Sequence, residues 1–207
     1  TEQITVAFMG DSITHGAQYL KVLEHYYHTR YPDKDIIFIN KGISGNYSSS
    51  VINRFDWDIT EDEISGKIDE ATLMIGMNDV TRDYYLEDST ATQAQKDSKI
   101  TTCINNVEKI IKLCENNGIK LTIITPSAFD DTEGFATSTA NAPGCNTYGL
   151  KNISDKLKVL AANYNVPVID LWTPTTDVTN YIRSTYGYDG IVIAGNDRIH
   201  PDEQGGT

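Results

Sequence analysis

The chain has 207 residues, 39% of them hydrophobic and 22% charged, and its 17 Lys and Arg against 29 Asp and Glu leave a formal net charge of -12. That length suffices for one sizeable core and is short for two ordinary domains, so residues 1–207 read as a single domain. A surplus of acid speaks against nucleic acid or an anionic membrane as partner, and no apolar run approaches the roughly 20 residues that a membrane helix needs.

The chain opens on Thr1 with no initiator Met and no basic leader ahead of an apolar core, as expected of a trimmed chain or a mature secreted one. The compartment stays open between secreted and cytoplasmic, leaning to secreted. Cys103, Cys114 and Cys145 cannot all pair with one another and lack the CxxC spacing of zinc or redox sites, so they read as free, buried thiols.

Five apolar, β-branched runs read as strands: "ITVAFM" from Ile4, "DIIFIN" from Asp35, "ATLMIG" from Ala71, "KLTIIT" from Lys120 and "VPVIDL" from Val166. They are near-continuous rather than alternating, which suits a parallel sheet buried on both faces. Helical patterns separate them. The first runs from Gln18 to Arg30. The longest runs from about Ala91 to Asn117 and repeats apolar residues at Ile100, Ile104, Val107, Ile111 and Cys114. Another, from about Tyr148 to Tyr164, offers Leu150, Ile153, Leu157, Leu160 and Ala161 to the sheet. Alternating strands and helices predict an α/β sandwich around a parallel sheet. Two stretches, Ser127 to Asn146 and Thr173 to Asn196, read as long irregular loops, which in a compact domain are functional or disordered.

In such sheets ligands bind beyond the carboxyl ends of the strands, so the loops that follow strands carry the chemistry. After the first strand comes "GDSITHG", after the second "NKGISGNYSS", after the third "GMNDVTRDYY", and near the C-terminus "DRIHPDEQGG". Each supplies a part that acyl transfer needs. Ser12 is a hydroxyl that a base could activate. Gly45 can bring a backbone N–H close to an oxyanion, and Asn78 can present a side-chain amide. His200 is a candidate base, with Asp197 three residues earlier to orient and polarise its ring. Each signal alone is ordinary turn, cap or surface chemistry; their joint placement on the correct loops is what carries weight.

Together "GDSITHG", "NKGISGN", "IGMNDV" and "DRIHPDE" resemble the four sequence blocks of the SGNH hydrolases, the GDSL esterase/lipase family, and they span nearly the whole chain. The resemblance implies a flavodoxin-like, three-layer α/β/α sandwich of about five parallel strands. It also implies Ser12 as nucleophile and first oxyanion donor, Gly45 and Asn78 as further donors, and Asp197 and His200 as acid and base. Gly42, the other glycine of its block, ranks below Gly45. Family members usually continue into a closing helix, which is missing or truncated here and leaves the hold on His200 in question.

The expected activity is hydrolysis of a short-chain carboxylic ester through an acyl-enzyme, with an acetylated carbohydrate as leading substrate and no metal or organic cofactor. The partner is then a small-molecule or glycan ester; the oligomeric state stays open. The alternatives are a lipase, lysophospholipase or thioesterase of the same family, or a non-catalytic glycan-binding relative. A flavin or nucleotide binder is disfavoured, since neither GxGxxG nor the P-loop lysine is present. Asp11, Arg54, Trp57, Tyr84 and Tyr85 are candidate substrate contacts, with Asp11 and Asp79 also expected to shape hydrogen bonds in their loops and Trp57 open to a core role. Asp130, Asp131 and Glu133 read as a solvated acidic loop rather than a calcium site. His25 and His28 read as surface imidazoles and His15 as a rim residue.

Overall fold

A computed structural model describes residues 3–61, 66–133, 139–187 and 197–201. Its centre is a five-stranded sheet: β1 Ile4–Gly10, β2 Ile36–Gly42, β3 Glu70–Met74, β4 Lys120–Ile124 and β5 Val168–Ile169. All pairings are parallel and the order is β2-β1-β3-β4-β5. The helices are α1 Ser12–His15, α2 Gln18–Arg30, α3 Ser48–Asn53, α4 Gln93–Asn116, α5 Lys151–Asn163 and α6 Trp172–Tyr186. They lie on both sides of the sheet, giving the flavodoxin-like α/β/α sandwich. This order reverses between β1 and β3, the kind of switch point beyond whose strand ends such sheets bind ligands.

Alternate residues of the strands serve two different layers. Ala7, Met9, Leu73, Leu121 and Ile123 join Ile100, Val107, Ile110, Ile153 and Leu157 of α4 and α5 in one core. α4 starts where predicted because Thr92 and Gln95 form a reciprocal capping box: each side chain accepts the other's backbone N–H. The five apolar residues predicted for α5 are all buried. On the opposite face Phe8 stacks edge-on against Phe38 and Tyr19, and an open apolar cleft of about 910 Å³ runs along the strands. Ser12, His200 and Pro201 stand among its lining residues.

Three expectations are corrected. The stretch from Thr173 is not irregular at its start: Trp172–Tyr186 is helical, while 188–196 lie outside the described residues. The pattern misled because the buried face of α6 is hydroxylic, made of Thr175, Thr176 and Thr179, so no apolar period is visible. Thr175 Oγ1 donates to Leu171 O (2.7 Å) and accepts from Ala128 N (2.9 Å), and Pro174 is tolerated in a first turn that needs no amide donor. The fifth strand is only two residues long, an edge whose Ile169 is half exposed. Asp130 is not solvated either: it is buried and accepts Arg183 Nε and Nη2 at 3.0 and 2.8 Å. Asp131 is half-buried and Glu133 exposed.

The three cysteines are free and buried. Among the described residues no helix is long and apolar enough to cross a membrane.

Candidate active site

β1 ends at Gly10, and Asp11 then caps α1 by accepting the Ile13 N–H (3.0 Å). That cap turns the chain sharply and makes Ser12 the first residue of the helix, at the carboxyl end of a central strand. Close approach of α1 to β2 requires Gly42: a side chain there would begin 2.3 Å from His15 N. Asn40 binds the two segments together, its Oδ1 accepting Gly42 N (2.8 Å) and its Nδ2 donating to Thr14 O (3.0 Å). His15 is exposed, with Nδ1 donating to Gly42 O at 3.0 Å.

His200 reaches this point from the other end of the chain. Its Nε2 lies 2.6 Å from Ser12 Oγ, and its Nδ1 bonds Asp197 Oδ2. With the ring proton on Nδ1, Nε2 is left to accept the Ser12 hydroxyl proton. Asp197 Oδ1 accepts the backbone N–H groups of Ile199 (2.9 Å) and His200 (2.8 Å), so the acid orients the base twice, through ring and backbone. Burial works against the Asp197 charge. The His200 ring and the two backbone N–H groups outweigh it and hold the carboxyl below its ordinary range.

The loop after β2 holds Gly45 in the left-handed region (φ +78°), exposed beside the site. The loop after β3 holds Asn78, whose Nδ2 donates to Asn46 O at 3.0 Å. A primary amide has two N–H hydrogens, so this tie leaves Asn78 a second donor. The two loops that carry the candidate oxyanion donors are thus fastened to each other.

Asp11 is buried one residue from Ser12. Burial chiefly raises its pKa to about 6, with the Asp79 charge adding to the effect and the Ile13 N–H and His200 opposing it. Asp79 is also buried and pushed up by desolvation, against the pull of the Ser48 hydroxyl and backbone N–H. Both aspartates therefore shape their loops as expected.

The remaining candidate contacts differ in their surroundings. Arg54 spends its donors on protein: Nε on Asn46 Oδ1 (2.8 Å), Nη2 on Lys41 O (2.7 Å) and Gly10 O (3.3 Å), and Nη1 on Asp58. It clamps the ends of β1 and β2 to the loop that bears Gly45 and Asn46. Tyr85 is buried against Gly149, with Lys96 Nζ 4.4 Å above its ring, and Tyr84 packs on the same side against the core. Both rings of the short turn Arg82–Tyr85 meet α4, with Lys99 Nζ 5.7 Å from the Tyr84 ring centre as Lys96 is over Tyr85. Trp57 is 76% exposed, so it is no core residue, and it is not among the residues lining the cleft beside Ser12. His25 and His28 are exposed on α2.

Sequence reasoning missed the supports. Ser48 donates its backbone N–H (3.0 Å) and its hydroxyl to Asp79, and accepts Asn106 Nδ2 at 3.0 Å. Asn106 could have been noticed, as a polar residue in register with Cys103, Val107 and Ile110 on the buried stripe of α4. Nothing in the sequence marked Ser48.

Comparison with known proteins agrees with this architecture. An acetylxylan esterase from Geobacillus stearothermophilus is 35% identical over a stretch covering 38% of this chain and 41% of that protein. Among solved structures, BT4096, a gut microbial diltiazem-metabolizing enzyme, superposes with a TM-score of 0.87 at 24% identity, covering 99% of this chain and 44% of that one. Axe2, an acetylxylan esterase from Geobacillus stearothermophilus, gives 0.70 at 23% identity over 98% and 89% of the two chains. The acetyl xylan esterase AlAXEase gives 0.68 at 21% over 98% and 94%. The chain thus spans less than half the length of BT4096, and its match to the first of these relatives is likewise partial. The sequence pattern of the GDSL-like Lipase/Acylhydrolase family matches residues 8–206, a run that takes in all four blocks, and the chain belongs to that family, the SGNH hydrolases.

Proposed function

We propose that this chain is a serine esterase that hydrolyses short-chain carboxylic esters, foremost an acetyl ester of a carbohydrate hydroxyl. The observation that carries the reading is the unbroken hydrogen-bonded series from Asp197 through the His200 ring to Ser12 Oγ. Support comes from family membership and from a relative that is an acetylxylan esterase.

In this mechanism His200 Nε2 takes the Ser12 proton as Oγ attacks the ester carbonyl. The resulting oxyanion is held by the N–H groups of Ser12 and Gly45 and the amide of Asn78. Asp197 stabilises the imidazolium, which then protonates the departing alcohol oxygen. Water, deprotonated by the same ring, attacks the acyl-enzyme, and collapse of the second tetrahedral intermediate releases the acid and restores Ser12.

A second reading, hydrolysis of long acyl chains, has one observation in its favour: the apolar cleft whose rim holds Ser12 and His200. One experiment decides between them. Turnover of p-nitrophenyl esters is measured from acetate to palmitate, alongside acetate release from acetylated xylan, with Ser12→Ala as control. The proposal expects a maximum at acetate, acetate release from xylan, and loss of nearly all activity in Ser12→Ala. A maximum at long chains moves the assignment to the second reading, and full activity in Ser12→Ala refutes the mechanism.

A further inference from the structure

The stretch 197–201 is neither helix nor strand, yet it must hold His200 within hydrogen-bond reach of a serine 188 positions away in the chain. Asp197 fixes the shape of this loop by accepting its own backbone N–H groups. Those bonds are internal, so they say nothing of where the loop sits. Its place comes from the residue between acid and base.

Arg198 has the largest side chain among the fully buried ones, at 1% exposure. Its Nη1 donates to Asp130 O (2.7 Å), Thr132 O (2.9 Å) and Asn141 Oδ1 (3.4 Å), and its Nε to Thr139 O (3.2 Å). Its own carbonyl accepts the Asp130 N–H at 3.0 Å. Asp130 is fixed in turn by Arg183 of α6, and it lies in the segment that leaves β4. Ile199, packed in the core, is the loop's apolar foothold.

The backbone makes the choice of arginine informative. Arg198 sits at φ +67°, a left-handed conformation that glycine adopts freely and other residues adopt at a cost. A guanidinium is also costly to bury unless its donors are met. Both costs are carried at one position, directly after Asp197 and two residues before His200.

We infer that Arg198 is a positioning residue for the acid–base pair: its buried guanidinium, held by the carbonyls of the segment after β4, sets His200 against Ser12. The inference rests on the esterase reading given above and concerns which part of the chain holds the base.

Arg198→Gly tests it sharply, because glycine suits the left-handed backbone, keeps the loop's shape and removes only the tether. For this variant kcat falls by about 10- to 100-fold on the acetate ester, since misplacement of a catalytic group by an ångström costs of that order. KM changes little, and added guanidinium ion, which can occupy the vacated site, restores part of kcat. A residue that served stability alone would lower the melting temperature without this rescue. Arg198→Lys, which keeps the charge but not the fork, lies in between and carries the test if the glycine variant fails to fold. Wild-type kcat in either folded variant overturns the inference. So does a loss that follows only the folded fraction and ignores guanidinium.

Imidazole nitrogen NMR of His200 in wild type and Arg198→Gly reads the same point without turnover. The inference expects the Ser12–His200 hydrogen-bond signature to weaken in the variant, and an unchanged signature overturns it. If the wild type neither turns over esters nor labels at Ser12 with a fluorophosphonate, the esterase reading fails, while the NMR comparison still decides on the anchor.

Discussion

Asp79 receives both the backbone N–H and the hydroxyl of Ser48, so the loop after β3 is bolted to the first turn of α3. Asn106 of α4 completes the network by donating to the same hydroxyl. Asn78, the candidate oxyanion amide, is the residue before Asp79, and the loop bearing Gly45 ends at Ser48. The network therefore ties together the loops that bear the two candidate oxyanion donors.

Ser48→Ala leaves a buried amide of Asn106 and a buried carboxyl of Asp79 each short of a partner. Chemical denaturation should report a loss of about 1–3 kcal/mol. If the network also sets donor geometry, kcat on an acetate ester drops by roughly tenfold in the folded variant. A stability loss with unchanged kcat confines the network to a structural role.

Asp11→Asn probes a charge that folding disfavours. The folded pKa of Asp11 is raised from 3.8 to about 6, chiefly by burial. The contribution to stability is therefore fully present below the ordinary value and is lost as pH rises through about 6. Asparagine keeps the acceptor for the Ile13 N–H without the charge. Urea unfolding should show the variant gaining on the wild type across that window, by on the order of 2–3 kcal/mol at neutral pH. Parallel pH curves for the two proteins would remove Asp11 from this account.

Arg54→Ala takes away the clamp on Gly10 O, Lys41 O and Asn46 while stranding Asp58. The loss of stability should approach that of breaking a buried ion pair, about 3 kcal/mol. Arg54→Lys recovers only part of it, because one ammonium cannot span the same acceptors. Steady-state kinetics should show the effect mainly in kcat. A rise confined to KM would support the substrate-contact role that its sequence position suggests.

Asn78→Ala removes one oxyanion donor together with the tie to Asn46 O. Turnover should fall by about 10²- to 10³-fold with the protein still folded, as judged by circular dichroism. Undiminished turnover takes Asn78 out of the mechanism.

The sheet was readable because its strands are near-continuous apolar runs, even though β2 and β5 are only partly buried, and the helices because α4 and α5 repeat their apolar residues at helical spacing. α6 escaped because its buried face is made of threonines, which leave no hydrophobic trace; the Thr175 hydroxyl meets Leu171 O and Ala128 N and the Thr176 hydroxyl meets Asn146 Nδ2. Ser12, Asp197 and His200 were readable as a set, since acyl transfer demands those groups on those loops. Nearness in sequence to a motif made Arg54, Tyr84 and Tyr85 candidate substrate contacts, but it carries no information about the acceptors that Arg54 holds or the packing of the two tyrosines. Arg198, flanked by the most legible residues of all, gave no sign, for a buried arginine and a surface one are written with the same letter.

The strand order has a consequence for when the site comes into being. β2, β1 and β3 are neighbours in the sheet, so Ser12, Gly45 and Asn78 follow adjacent strand ends spaced about 4.8 Å apart. Pairing within the first 80 or so residues is enough to bring them together. His200 closes a loop of 188 positions, the kind of long-range contact that forms late. On this argument the loops that bear Ser12, Gly45 and Asn78 come together before His200 reaches Ser12, so refolding is expected to complete the candidate site last.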